Sequence, residues 1–263
     1  MDLLYESPSW IFTSLLIVIP SILLCLGLLW LMRKFIHHST LQKNHDVAGF
    51  TLSIVGVLYS VILGFTVINA QTRYNEALQN IHSEALILAD LYRDAGFFPP
   101  ESRDAIRTGL RNYVNYVIEE EWGLPTERKL RPKTQDIMEK IWNSYYNVEV
   151  TNEKMGIWYS LSIEKLNNLM DARLSRQFSS WEHLGNMMWS LLISGALITI
   201  GFLFFFGLEN LRSQMIMTAL VAGYVSFMLY LVYSLDHVYH GPEGIKPVAL
   251  EQVYALFDRW DAK

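Results

Sequence analysis

The segment Asp236-His237-Val238-Tyr239-His240-Gly241 gathers the densest set of titratable side chains in the sequence. His237 and His240 stand at i, i+3, so on a helix they share a face. With the Asp236 carboxylate they offer the nitrogen and oxygen donors that zinc and related ions take. Two imidazoles and one carboxylate still fall short of a coordination set, and the same residue types suit a helix end at the headgroup level of a bilayer. No metal is expected, with Asp236, His237 and His240 as weak candidates. His82 and His183 are expected on the same side of a membrane as this segment, which leaves a composite site open. Glu84 has Ile81, Ala85, Leu88 and Ala89 around it. A solvated helix face is its expected setting, and pairing with a basic neighbour is the alternative. Glu119, Glu120 and Glu121 close a helical run just before Trp122, where the helix dipole disfavours negative charge. A partner, a bound cation or a helix that ends earlier would relieve them. No strained nucleophile turn, phosphate-cradling glycine loop, HExxH or CxxC occurs, so the residues imply neither an enzyme nor a cofactor.

A second pattern is steric rather than ionic. Gly49, Ser53, Gly56, Ser60 and Gly64 recur at steps of four, three, four and four, which puts them on one face of a helix. In lipid, small residues at this spacing let two helices approach closely. The same spacing also suits a pore wall, where small side chains leave room for water and glycine exposes backbone. Both readings stand, and they can hold at different points along one helix. The face runs on to Asn69 and Gln71, a candidate polar mouth in an oligomer. No Asp, Glu, Lys or Arg lies in the apolar stretches, which argues against a proton-relay transporter. It does not argue against a channel.

The elements that position these residues are helices. Residues 10–32, 48–69, 187–208 and 215–235 are four apolar runs without a formal charge, each as long as the roughly 20 residues needed to span a bilayer. In a chain of 263 residues that is 51% hydrophobic, four such runs describe two membrane-spanning hairpins (1–70 and 187–236). Only Asp2 and Glu6 precede the first run, unlike the basic leader of a secretory signal, so it is expected to be retained. Cys25 is the only cysteine and excludes a disulfide framework. The net charge of −5 and the lack of a basic cluster exclude a general nucleic-acid binder.

Between the hairpins, residues 71–186 read as a helical extramembrane domain. The second span continues without Gly or Pro as far as Gly96, so one helix is expected over about 48–95. Ser102, Thr134 and Asn152 are candidate caps of three further helices, the last leading toward the third span. No period-two alternation is long enough for a strand, so the fold class is all-α. Residues 237–263 form a C-terminal tail. Arg33, Lys34 and Lys43 fill the first short linker, while the nine N-terminal residues carry no basic group. This favours cytoplasmic linkers and an external soluble domain in the cell (inner) membrane. Arg73, Arg173 and Arg176 on the other side pull against it.

Taken as a set, several stretches resemble the bestrophin-like domain family of bacterial membrane proteins. They are His45-Asp46-Val47-Ala48-Gly49-Phe50, Gly56-Val57-Leu58-Tyr59-Ser60-Val61, Glu84-Ala85, Tyr113, Glu121-Trp122, and Leu235-Asp236 with Gly241. Between the last Asp and Gly the family pattern has Pro and Phe, where this chain has Val238 and Tyr239. The resemblance runs from about residue 40 to 250. It implies remote kinship with bestrophins, oligomeric ion channels of four spans per subunit whose second span lines the pore. Carried over, it implies a homo-oligomer in the lipid bilayer with a permeating ion as its cargo. Gly49, Ser53, Gly56, Ser60, Gly64, Asn69 and Gln71 would then lie near the pore axis. It also implies a cytosolic soluble domain, opposite to the orientation drawn from linker charge. The acidic excess of residues 71–185 favours cations at that mouth and the kinship favours anions, so the ion stays open. The alternative function is a membrane-anchored sensor or scaffold whose helical domain binds a ligand or partner.

Overall fold

The computed structural model describes residues 9–35, 45–122, 131–205, 210–241 and 243–262, and among these every regular element is helical. In chain order they are α1 (Ser9–Phe35), α2 (His45–Asp94), α3 (Pro100–Tyr116), α4 (Pro132–Tyr146), α5 (Glu153–Ser179), α6 (Asn186–Phe204), α7 (Leu211–Asp236) and α8 (Val248–Asp261). A 3₁₀ turn at Ala95–Phe97 follows α2, and a π-helical turn at Val117–Glu121 follows α3. Four helices are long and apolar enough to cross a membrane. The chain divides into two compact units.

The first unit holds α1, the first part of α2 up to Thr72, α6 and α7. α7 packs along α1 and beside α6. Tyr59 and Leu63 of α2 bury against Leu192 and Ala196 of α6 and Val225 and Val232 of α7. Gly195 makes this approach possible, because a Cβ there would collide with the Tyr59 ring. Gly223 does the same on α7, where a Cβ would meet Ile22 at 3.0 Å. At one end of the bundle the Arg33 Nε donates to the Gln214 Oε1 at 2.8 Å, and the Gln214 amide donates to the Leu203 carbonyl. Outward, Phe12, Phe50, Val57, Leu58, Phe65 and Leu220 are all at least 60% exposed, far more contiguous apolar surface than water tolerates.

The second unit is built from Arg73–Glu182 with Val238–His240 and Gly244–Lys263. Its core joins Leu88, Leu91 and Tyr92 of α2 to Ile106, Leu110 and Tyr113 of α3. Met138, Ile141 and Tyr145 of α4, Leu166 and Leu169 of α5, and Leu250 and Phe257 of α8 complete it. The caps differ from expectation at two of three starts. α3 begins at Pro100 and α4 at Pro132, each with proline at the first helical position, where its missing N–H costs nothing. Ser102 and Thr134 therefore lie inside their helices. Asn152 is the N-cap of α5, its side chain accepting from the Met155 N–H at 2.9 Å. α5 ends at Ser179 and α6 starts anew at Asn186, with Gly185 in the extended N-cap position. Residues 237–263 are more than a tail, since α8 occupies 14 of them. The linker residue Lys43 and the end of the third run at 206–208 lie outside the described residues.

Candidate functional site

The small-residue face of α2 is left exposed or half-exposed by the rest of its unit. Ala48, Tyr59, Leu63, Thr66 and Ala70 are buried, whereas Ser53, Ser60, Gly64, Asn69 and Gln71 are exposed and Gly49 and Gly56 half-exposed. A Cβ added at Gly56 or Gly64 would meet nothing within 4 Å. Close helix approach within the chain therefore does not explain these two glycines, although it does explain Gly195. The hydroxyls on the stripe turn back on their own helix, Ser53 to the Gly49 carbonyl and Ser60 to the Val57 carbonyl, both at 2.9 Å. The face thus presents backbone, methylene and satisfied hydroxyl groups, with Asn69 and Gln71 beyond.

The ionic groups sort differently from the sequence reading. Glu84 is not on a solvated face: it is fully buried in the second unit. Its Oε2 accepts from the Arg176 Nε at 2.6 Å and its Oε1 from the Tyr113 hydroxyl at 2.5 Å. Arg176 also reaches Glu121, Nη1 to Oε1 at 2.9 Å, and lies over the Trp122 ring. Thr134, freed from capping, donates to the other Glu121 oxygen. The strain of three acids at a helix end is thus relieved by a cationic partner for Glu121 and by Lys133 for Glu120 at 2.6 Å. Burial pushes the Glu121 carboxyl up, but Arg176, Thr134 and Arg173 together hold it below the usual carboxylate range. Burial and the Glu84 anion push the Tyr113 phenol well above its ordinary value. Arg176 stays charged because its acidic and phenolic neighbours outweigh the cost of burial. Arg173, one turn before on α5, is fully buried, and among the described residues none of its three nitrogens has a hydrogen-bond partner.

Asp236 ends α7 and is buried. Its carboxylate accepts from the Leu184 N–H at 2.6 Å and the Trp189 indole at 3.2 Å, tying the chain ahead of α6 to the end of α7. Among the described residues no three His, Cys, Asp or Glu side chains gather as a metal site. The imidazole beside His237 is His183, with ring centroids 5.1 Å apart; His240 belongs to the second unit, as does the exposed His82. Gly241 takes φ +80°, a left-handed conformation that glycine alone adopts without strain.

The model of the bestrophin-like domain matches residues 19–250. Crystal structures of a bacterial bestrophin homolog from Klebsiella pneumoniae share the fold. One mutant form is 16% identical with a TM-score of 0.68, covering 92% of this chain and 99% of that one. Another is 17% identical with a TM-score of 0.65, covering 98% and 100%. A structure described as a membrane protein is 13% identical with a TM-score of 0.74, covering 94% and 99%. No curated protein matches the chain.

Proposed function

The chain belongs to the bestrophin-like domain family, and on that premise we propose that it is the subunit of a homo-oligomeric ion channel whose pore is lined by α2. One observation carries the reading. The Gly49–Ser53–Gly56–Ser60–Gly64 stripe is left exposed or half-exposed by its own unit, and Gly56 and Gly64 have open space where a side chain would sit. A face of this kind costs packing within the chain, so its use lies with other copies, or with water and ions along an axis. Asn69 and Gln71 then stand at the mouth of the pore, and the second unit is a water-soluble domain inserted between the second and third spans.

Reconstitution into liposomes tests the reading. Purified protein is expected to pass K⁺, Na⁺ or Cl⁻ down an imposed gradient, with reversal potentials naming the ion. Absence of flux for all three would sink it, and a monomer in cross-linked native membranes would point to a membrane-anchored sensor or scaffold instead. Orientation is tested in the same preparation of cells. The basic linker of the first hairpin favours an external second unit, and the bestrophin kinship favours an internal one. A His82→Cys chain labelled by a membrane-impermeant thiol reagent in intact cells fits the first; labelling only after lysis fits the second.

A further inference from the structure

We propose that His183 and His237 form a two-imidazole site for a divalent transition-metal ion of the zinc, cobalt or nickel kind, at the end of the α6–α7 hairpin. His183 lies just ahead of α6 and His237 directly follows α7. Their rings are 5.1 Å apart between centroids with planes tilted by 29°. The Nδ1 of His183 lies 3.0 Å from the Asp236 carbonyl oxygen, and the Nδ1 of His237 lies 3.0 Å from the Tyr233 carbonyl oxygen. A carbonyl oxygen only accepts, so each Nδ1 carries the ring proton. A neutral imidazole has one N–H, which leaves both Nε2 atoms as lone pairs, neither with a hydrogen-bond partner among the described residues. Ring N–H groups held by backbone carbonyls are the usual outer support of metal-bound histidines, since they fix tautomer and ring direction.

The spacing agrees with this assignment. With metal–nitrogen distances of about 2.0–2.1 Å and tetrahedral angles, two imidazoles on one ion place their ring centres about 5.2 Å apart. The observed separation is 5.1 Å. Asp236 is a positioning residue and not a ligand, because its two oxygens hold the Leu184 N–H and the Trp189 indole. Water completes the shell, and His183 is exposed enough to admit it. Two protein ligands make an exchangeable site, suited to a modulating ion more than to a structural one. The inference rests on the hairpin geometry and is independent of conduction.

Titration of the tag-free, full-length protein in detergent with Co²⁺ and Zn²⁺ tests it, by visible absorption and calorimetry. One ion per chain is expected. Binding should weaken roughly tenfold or more in His183→Asn and in His237→Asn. Asparagine keeps an N–H near the Nδ1 position, so the bonds to the carbonyls survive while the ligand is lost. His240→Asn and His82→Asn should bind as the wild type does. Unchanged affinity in the first two variants, equal loss in the last two, or no binding to the wild type overturns the proposal. A measurement on the wild type alone guards against misfolded variants. Zn²⁺ should protect His183 and His237 together from diethyl pyrocarbonate, read by mass spectrometry, and modification of either ring at the metal-free rate counts against the site.

Discussion

Arg176 bridges Glu84 and Glu121, which stand on α2 and on the turn after α3, and all three are nearly or wholly buried. Removing the guanidinium leaves two carboxylates in a dry interior, so Arg176→Met should destabilise the protein by about 3–5 kcal/mol. Arg173 provides the control. Among the described residues its nitrogens hold no hydrogen-bond partner and its influence on Glu121 is through charge alone, so Arg173→Met removes a desolvated charge with no hydrogen bond to lose there and should cost far less. Thermal unfolding of the two variants side by side checks the ordering. The same cluster sets an acid limit. Glu121 is held below its ordinary pKa, so its contribution is fully present above the unfolded value of about 4.3 and is lost as pH falls through the lower folded value. Thr134→Val removes one of the bonds that hold it down and should move acid unfolding to higher pH, followed by circular dichroism. How much of this was legible differs by residue. Glu84 stands three residues after Ile81 and four before Leu88, within the buried stripe of α2, so its burial was readable from spacing. Its partner was not, because Arg176 lies 92 residues away and nothing local links them. The acidic run at 119–121 was the better signal, since unfavourable charge at a helix end demands a compensating cation.

At the scale of the element, α2 and α8 show where pattern suffices and where it fails. With no Gly or Pro between Gly64 and Gly96, one helix is expected over about 48–95, and it runs from His45 to Asp94. In α8 the spacing of Leu250, Val253 and Phe257 was equally plain, and all three are buried. Two kinds of contact hold α8. Phe257 stacks on Tyr92 at 3.9 Å, while Arg111 pairs with Asp258 at 2.6 Å and with Asp261 at 2.8 Å. The ring should dominate. Phe257→Ala empties a closed core site at about 3–5 kcal/mol, whereas both aspartates are substantially exposed and each pair contributes about 1 kcal/mol or less. Chemical denaturation is expected to rank Phe257→Ala well below Asp258→Asn, and added salt should shift the wild type only slightly. The caps were misread. Ser and Thr near a start compete with proline, whose fixed φ begins the helix two residues earlier at Pro100 and Pro132. In the first unit, Gly195 fails to stand out as a contact point because small residues recur throughout the spans. Only the Tyr59 ring against it separates this glycine from Gly56 and Gly64.

On the scale of the whole molecule, the two uses of the open face of α2 make different demands. If the stripe packs against a second copy, a large side chain at its centre pushes subunits apart, since association in lipid rests on close van der Waals contact. If it lines a pore, the same side chain projects into water, leaves the assembly intact and narrows the path. Gly56 suits the experiment because a Cβ there meets nothing within 4 Å among the described residues, so Gly56→Leu should fold without internal strain. The proposed channel predicts an oligomer of unchanged mass in detergent and cross-linked membranes, with ion flux reduced or blocked. Gly195→Leu is the counterpart: it collides with Tyr59 inside the subunit and should lower thermal stability whatever the assembly does. Dissociation of Gly56→Leu into smaller species would assign the stripe to subunit packing and move the pore to another face. Full flux through an intact Gly56→Leu oligomer would remove α2 from the conducting path altogether.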